Sequence, residues 1–486
     1  MKIYFLFALT GVLFAGAQGA AHAGEFFPGE KAIVFETMDG KKADAFEGVI
    51  QIPENRANPD SRMIPLNYVR FPATGKTPGS PIIYLAGGPG GSGIMTAKYP
   101  QFRFPLFMAL RQYGDVIALD QRGTGASKAG LTCRSSKLLP QTEVLTDVKV
   151  TALYRAAAQE CVDRWKDQGI DIYGYTTLES VRDLDALREH FQAQKITLWG
   201  ISYGSHLALA ALKQIPDRIE KVVIASAEGL DQTVKLPVRT DAYFDRLQQA
   251  INSQPAAAEA YPDVKAMIRR VHEKLDAQPL AIKIPLKDGG ALDFLFQRSH
   301  MQGLASGMIA DPGRGAPYLL GLYRSLDQGD TDMLVMELKR GYFNDPVISF
   351  TAMSFGMDIA SGITPARHVL IREQSKTSLL GLMLNFPMPQ LDRVVDGLDL
   401  GDDFRRTPVS DVPTLLLTGT LDGRTYVEGQ REATAGLSNL TQVTVVNGGH
   451  NLFMLSPEVT EVIGTFLSGE EVRRTEIIVP LPSFLK

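Results

Sequence analysis

Apolar and polar positions along the chain fall into three regimes. Residues 32–39, 46–53 and 63–71 interleave the two kinds of side chain and read as leading antiparallel strands. Short, nearly unbroken apolar runs at 82–86, 116–120, 196–200, 222–227, 415–418 and 443–446 read instead as strands buried on both faces, the mark of a parallel sheet under helices. From about 230 to 406 the strand pattern gives way to helical stretches such as 241–251, 264–275 and 318–326, with Gln254-Pro255-Ala256-Ala257 and Asp311-Pro312-Gly313-Arg314-Gly315 as connectors. The fold class is α/β: a mostly parallel twisted sheet flanked by helices, with a large, mainly helical insertion. No internal repeat interrupts this reading.

The third parallel run ends in Gly200-Ile201-Ser202-Tyr203-Gly204 and passes at once into an alanine-rich helical pattern from Ser205 to about Leu212. Glycines on either side let strand and helix crowd around a sharp turn, which would hold the Ser202 hydroxyl out at its tip. A glycine-flanked serine in an ordinary loop is the bland alternative, and the strand-to-helix context weighs against it. A serine hydroxyl is a weak nucleophile, so it needs a base, a group to orient the base, and donors for an oxyanion. In α/β-hydrolases these follow in the order nucleophile, acid, histidine, after successive strands. The run at 415–418 leads into a turn carrying Asp422, and the run at 443–446 leads into Asn447-Gly448-Gly449-His450. Asp402, Asp403 and Asp411 precede the apolar strand and fall at its other end. Among the seven histidines, His450 alone has both the order and the strand-end position. Oxyanion amides are expected from Tyr203, directly after the nucleophile, and from Gly88 in the glycine-rich loop after the first parallel run. That loop fits neither the phosphate-binding nor the dinucleotide glycine pattern.

Three motifs together, Gly87-Gly88-Pro89-Gly90-Gly91, Asp120-Gln121-Arg122-Gly123-Thr124-Gly125-Ala126-Ser127 and Gly200-Ile201-Ser202-Tyr203-Gly204, resemble the prolyl iminopeptidase branch of the α/β-hydrolases, including its larger tripeptidyl-aminopeptidase-like members. The resemblance covers roughly 63–229 and 412 to the C-terminus. It implies that the first loop supplies an oxyanion amide, that the second turn buttresses the site, and that acidic residues bind a substrate's free amine. Glu228, directly after a core strand, is the first candidate for that amine, with Asp358, Glu337 and Glu373 as alternatives. Ala86 stands where shorter family members carry histidine.

The domain reading is therefore a leader over 1–23, a hydrolase core over 24–229 and 407–486, and a helical cap over 230–406. Lys2, an apolar stretch to about Ala15 and Ala21-His22-Ala23 form a secretory signal pattern with cleavage after Ala23. Export places Cys133 and Cys161, the chain's two cysteines, in an oxidising compartment where one disulfide is expected, stabilising by roughly 3 to 4 kcal/mol on a chain-entropy estimate. A hydrophobic fraction of 44% and a formal charge of -4 suit a globular protein and argue against nucleic acid as a partner. No further long apolar run argues for a membrane span, and no motif calls for a metal or cofactor. The sequence leaves the oligomeric state open. The expected activity is that of an exported serine aminopeptidase acting on short peptides. An esterase using the same three residues and a non-catalytic peptide-binding protein are the alternatives.

Overall fold

The computed structural model describes residues 26–485 apart from 102, 129, 130 and 288. The leader read over residues 1–23 lies outside the described residues. A ten-stranded sheet runs through the molecule in the order β1-β2-β3-β5-β4-β6-β7-β8-β9-β10. Its strands are β1 (Lys31–Glu36), β2 (Lys42–Pro53), β3 (Met63–Phe71), β4 (Ile82–Leu85), β5 (Val116–Leu119), β6 (Ile196–Ser202), β7 (Ile219–Ala227), β8 (Thr414–Gly419), β9 (Leu440–Val446) and β10 (Glu476–Ile478). The first three pair antiparallel, and everything from β5 onward in that order is parallel. This is the α/β architecture expected from the pattern.

Each face of the sheet has its own core. One is closed by helices including Thr177–His190 and Tyr203–Gln214, with Leu184, Leu187 and Leu207 buried against Leu198 and Ile224. The other is closed by Phe104–Leu110 and Pro457–Ser468, with Phe107 and Ile463 packed against Trp199 and Leu417. Strands with alternating neighbours on two apolar faces leave no polar side for water, which is why these runs carry so few charges.

The insertion between β7 and β8 divides in two. Its first half holds the helices Pro237–Asn252 and Val264–Ala277, the antiparallel pair Leu280–Pro285 and Ala291–Phe296, and the helices Arg298–Met308 and Gly315–Asp327. These surround a separate core that includes Phe244, Ile268, Phe296 and Leu320. Residues 254–257, expected as a connector, instead enter a short helix, Pro255–Ala260: proline at its first position has no amide to lose there, and three alanines follow. The second half has no such independence. Its strand Val347–Thr351 pairs antiparallel with Thr132–Leu138, and its helix Ala352–Ser361 buries Met353, Phe355 and Met357 in the sheet's own core. Neither strand of that pair was legible as one.

Cys133 and Cys161 form a disulfide with Cα atoms 5.6 Å apart. It fastens strand Thr132–Leu138 to the helix Asp147–Asp167, and Cys133 lies opposite Phe350 across the strand pair. Among the described residues no helix is long and apolar enough to cross a membrane.

Candidate active site

Ser202 ends β6 and precedes the helix Tyr203–Gln214, with φ 55° and ψ -126°. A non-glycine residue at positive φ stores on the order of 1–3 kcal/mol, held here by its surroundings. Those surroundings admit nothing larger than glycine on either side. A Cβ on Gly200 would stand 2.6 Å from the Gly204 carbonyl oxygen, and one on Gly204 would stand 2.0 Å from the Leu85 oxygen. The serine hydroxyl makes no hydrogen bond among the described residues.

Asp422 and His450 follow β8 and β9, the second and third strands from β6 on the same side of the sheet. The structure brings these two side chains together: His450 Nδ1 lies 3.1 Å from each Asp422 carboxylate oxygen. Asp422 is fully buried, and its turn is built on its own side chain. Oδ1 accepts the Arg424 and Thr425 amides at 2.8 and 2.9 Å, and Oδ2 accepts the Thr425 hydroxyl at 2.7 Å. Burial pushes this carboxyl up, but the His450 charge and these bonds outweigh it and hold it below the ordinary aspartate value. With Nδ1 committed to Asp422, Nε2 of His450 has no partner among the described residues. No Ser202–His450 hydrogen bond is made. The link between them runs through β7, where Ala227 pairs with Ser202 and the Ser226 hydroxyl donates to the His450 carbonyl at 2.8 Å.

Thr425 is a site residue that the sequence reading passed over. The signal was there, since an aspartate that accepts the amides two and three residues on closes a local turn, and the residue three on then faces it.

The glycine-rich loop lies against the nucleophile, for a Cβ on Gly87 would stand 3.1 Å from that of Ser202. Gly88 has φ 127° and gives its N–H to no other group among the described residues. Tyr203 opens its helix, so its N–H has no carbonyl one turn back. Both amides assigned to the oxyanion are thus uncommitted. The Asp120 turn braces the loop: Asp120 Oδ1 accepts the Ser92 hydroxyl at 2.5 Å and the Ile94 amide at 3.0 Å, while the Gln121 side chain donates to the Ala86 carbonyl at 3.0 Å. Arg122, fully buried, is spent on structure, on Asp183 and the carbonyls of Glu54 and Gly174.

Glu228 sits beside the elbow. Its amide donates to the Ser205 hydroxyl at 2.9 Å, and that hydroxyl in turn donates to the Ser202 carbonyl at 2.5 Å. Its carboxylate is already paired, with Lys235 Nζ 2.8 Å from Oε2. Of the alternatives, Glu337 pairs with Arg340 and Glu373 with Lys376. Asp358, on helix Ala352–Ser361, is the one coupled to this region: burial and then the Glu228 charge raise its carboxyl to about 8, against an opposing pull from Lys235.

Residues 80–264 match the model of the alpha/beta hydrolase fold family. With the sheet order and the elbow described above, the chain has the α/β-hydrolase fold. Several of the relatives it matches are named as peptidases. It is similar to serine protease Hip1 of Mycobacterium tuberculosis, 28% identical over 188 residues, which is 37% of this chain and 35% of that one. It is also similar to tripeptidyl aminopeptidase of Streptomyces coelicolor, 28% over 190 residues, covering 37% and 34%, and to proline iminopeptidase of Arabidopsis thaliana, 23% over 258 residues, covering 51% and 54%. The chain thus spans about a third of the length of the first two. Among solved structures it overlaps Rv0554 of Mycobacterium tuberculosis with TM-score 0.40 and 17% identity, covering 87% of this chain and 99% of that one.

Proposed function

We propose that the protein is an exported serine aminopeptidase that releases residues from the N-termini of short peptides through an acyl-enzyme. The observation that carries this reading is the His450 imidazole fixed by buried Asp422 through Nδ1, with Nε2 and the Ser202 hydroxyl both uncommitted. Ser202 attacks the acyl carbon while His450 Nε2 takes its proton. Asp422 holds the tautomer that presents Nε2 and stabilises the imidazolium. The Gly88 and Tyr203 amides receive the developing oxyanion, a contribution on the order of a hundredfold to a thousandfold per donor. His450 then protonates the leaving amine, and water, activated by the same imidazole, clears the acyl group from Ser202.

Residues 230–406 act as a cap that limits access to short or end-on substrates. The names of the matched relatives support a peptidase, and the acidic Glu228 beside the elbow supports recognition of a free amine, since an ammonium leaving water needs a charge partner. The leader pattern and the disulfide support export. The test is a set of paired amide substrates with free and acetylated N-termini. The reading expects the free amine to be strongly preferred. Equal turnover of both, with simple acyl esters cleaved faster still, would replace the aminopeptidase with an esterase.

A further inference from the structure

His206 follows the nucleophile by one helical turn and has no part in the chemistry above. It is buried, and its ring stacks on that of Tyr203 with centroids 5.6 Å apart. Nδ1 lies 3.1 Å from the Gly229 carbonyl, and Nε2 lies 3.2 Å from the Ser361 hydroxyl. A carbonyl only accepts, so Nδ1 carries the ring proton and Nε2 is the acceptor. That assignment orders the groups beyond it. The Ser361 hydroxyl gives its one hydrogen to Nε2 and accepts from Thr177, 3.2 Å away, and Thr177 accepts from the Tyr203 phenol at 3.3 Å. The Met357 sulfur, 3.8 Å from the Thr177 hydroxyl, competes only weakly for that hydrogen. The run of donors therefore starts at Tyr203 and returns to its own helix at His206. Tyr203, Thr177, Ser361 and His206 are each at most 2% exposed, so each relies on the others for its bonding. Burial lowers the imidazole against the pull of Glu228 and raises the phenol, which leaves the run without charge.

What such a run fixes is position. The Ser202 carbonyl and the Tyr203 amide belong to one planar trans peptide unit and point opposite ways. The Ser205 hydroxyl donates to that carbonyl at 2.5 Å while accepting the Glu228 amide at 2.9 Å. It thereby sets the direction of the Tyr203 N–H. The helix itself does not, because an amide in its first turn has no carbonyl behind it. Ser202, at φ 55°, holds that conformation only while its neighbours over-determine it. The phenol of Tyr203 pins the far side of the same unit through Thr177 and Ser361. Ser361 ends the helix Ala352–Ser361, whose Ser354 also donates to the Pro89 carbonyl in the glycine loop at 3.0 Å.

We propose that Ser205 and His206 are positioning residues that clamp the Ser202–Tyr203 peptide unit from two sides and so aim the Tyr203 amide at the oxyanion. Ser205 acts on the carbonyl end, and His206 acts through Ser361 and Thr177 on the Tyr203 ring. The inference rests on the acyl-enzyme reading of Ser202 and is independent of which substrates are cleaved. It makes the insertion a structural member of the oxyanion hole, since Ser361 closes the run that Tyr203 opens.

The experiment combines three measurements on the full chain: hydrolysis of p-nitrophenyl acetate, inhibition by an alkyl trifluoromethyl ketone, and titration of reactive Ser202 with a fluorophosphonate. In the ketone adduct Ser202 Oγ bonds the carbonyl carbon, His450 takes the hydroxyl proton, and the carbonyl oxygen becomes the oxyanion, so its Ki reads the hole directly. Ser205→Ala is expected to lower kcat by about tenfold to a hundredfold, less than deletion of a donor because the amide is still present. His206→Leu and Ser361→Ala are expected to lower it by about threefold to tenfold. In each variant Ki for the ketone rises by the factor that kcat falls, while KM for the ester changes by less than about twofold. His206→Gln, which keeps a donor for Gly229 and an acceptor for Ser361, recovers most of the loss. Ser361→Ala and Tyr203→Phe each delete a single oxygen and decide the question if His206→Leu does not fold. Unchanged kcat in Ser205→Ala, Ser361→Ala and Tyr203→Phe overturns the clamp alone. So does a loss matched by the fraction of Ser202 that no longer titrates, or one confined to KM with Ki unmoved. Failure of Ser202 to react with the fluorophosphonate in the unaltered protein overturns the acyl-enzyme reading and the clamp with it.

Discussion

The two halves of the insertion rest on different parts of one site. The first half, with its own hydrophobic core, leans on the turns that carry the acid and the base. The Ala310 carbonyl accepts the His450 amide at 2.8 Å, the Ser306 carbonyl accepts Arg424 Nη1 at 3.1 Å, and Gly423 leaves room only for the Ile309 carbonyl, 2.3 Å from where its Cβ would be. The second half shares the core of the sheet and leans on the nucleophile and the oxyanion loop, through Ser354 on Pro89 and Ser361 on His206. In the proposed mechanism, proton handling is thus buttressed by a region that folds around its own core, and acyl positioning by one welded to the sheet. A welded support suits the part of the reaction that tolerates least displacement, since an oxyanion donor out of place contributes little.

Substitutions that remove the chemistry itself set the scale against which the two supports are judged. Ser202→Ala or His450→Ala should lower kcat by about four orders of magnitude or more, with residual turnover from the remaining binding and oxyanion groups. Asp422→Asn should follow closely, since it leaves the shape and spoils the tautomer. Removing the disulfide tests the welded half. A 28-residue separation predicts a loss of roughly 3 to 4 kcal/mol in denaturant unfolding for Cys133→Ser/Cys161→Ser. At temperatures where the fold survives, the change should appear in free-amine selectivity before it appears in the reactivity of Ser202. Thr425→Val removes the hydroxyl bond to Asp422 Oδ2 while keeping the turn's amides. A drop of about tenfold to a hundredfold in kcat, with KM little changed, is expected from stopped-assay kinetics.

Two smaller effects sharpen the comparison further. Asp358 carries its proton below about pH 8 because of burial, the Glu228 charge adding to it and Lys235 opposing. His206 and Tyr203 nearby stay uncharged, since burial lowers the imidazole and raises the phenol, and His368 and Asp392, 3.6 Å apart, line the same cleft as Asp358. On the aminopeptidase reading, with Asp358 as the acid that meets the substrate ammonium, its carboxylate forms as pH rises toward 8, and the substrate's own amine, with an ordinary value near 7.7–8.0, loses its charge above that. kcat/KM for free-amine substrates should peak close to pH 8, by no more than tenfold per unit on either side. Asp358→Asn should erase the rising limb that acetylated substrates never show. Ser354→Ala, which only loosens the Pro89 carbonyl, should cost about two- to fivefold in kcat.

The sheet and the turns that carry Ser202, Asp422 and His450 were legible because each strand is an apolar run that ends in a turn, and such runs carry their own boundaries. What escaped had no such boundary. Thr132–Leu138 is TCRSSKL, with three charged or hydroxyl side chains facing out and no clean alternation, and it is a strand because Val347–Thr351 lies beside it. β10 is three residues long, too short to show a period. The disulfide was legible from compartment and count. The pairing of Glu228 with Lys235 was not, since they lie seven positions apart in a loop and only the folded chain decides which way a lysine reaches. The same holds for Asp358, which reads as one acid among several until helix Ala352–Ser361 is laid along the elbow.

The central claim is that one hydroxyl on this chain is made nucleophilic by one histidine. Intact-mass and peptide mapping of the protein treated with a serine-directed fluorophosphonate tests it most directly. A single adduct on Ser202, absent from Ser202→Ala and strongly slowed in His450→Ala, is the predicted result. An adduct on another serine, or labelling of Ser202 at the same rate without His450, would contradict it.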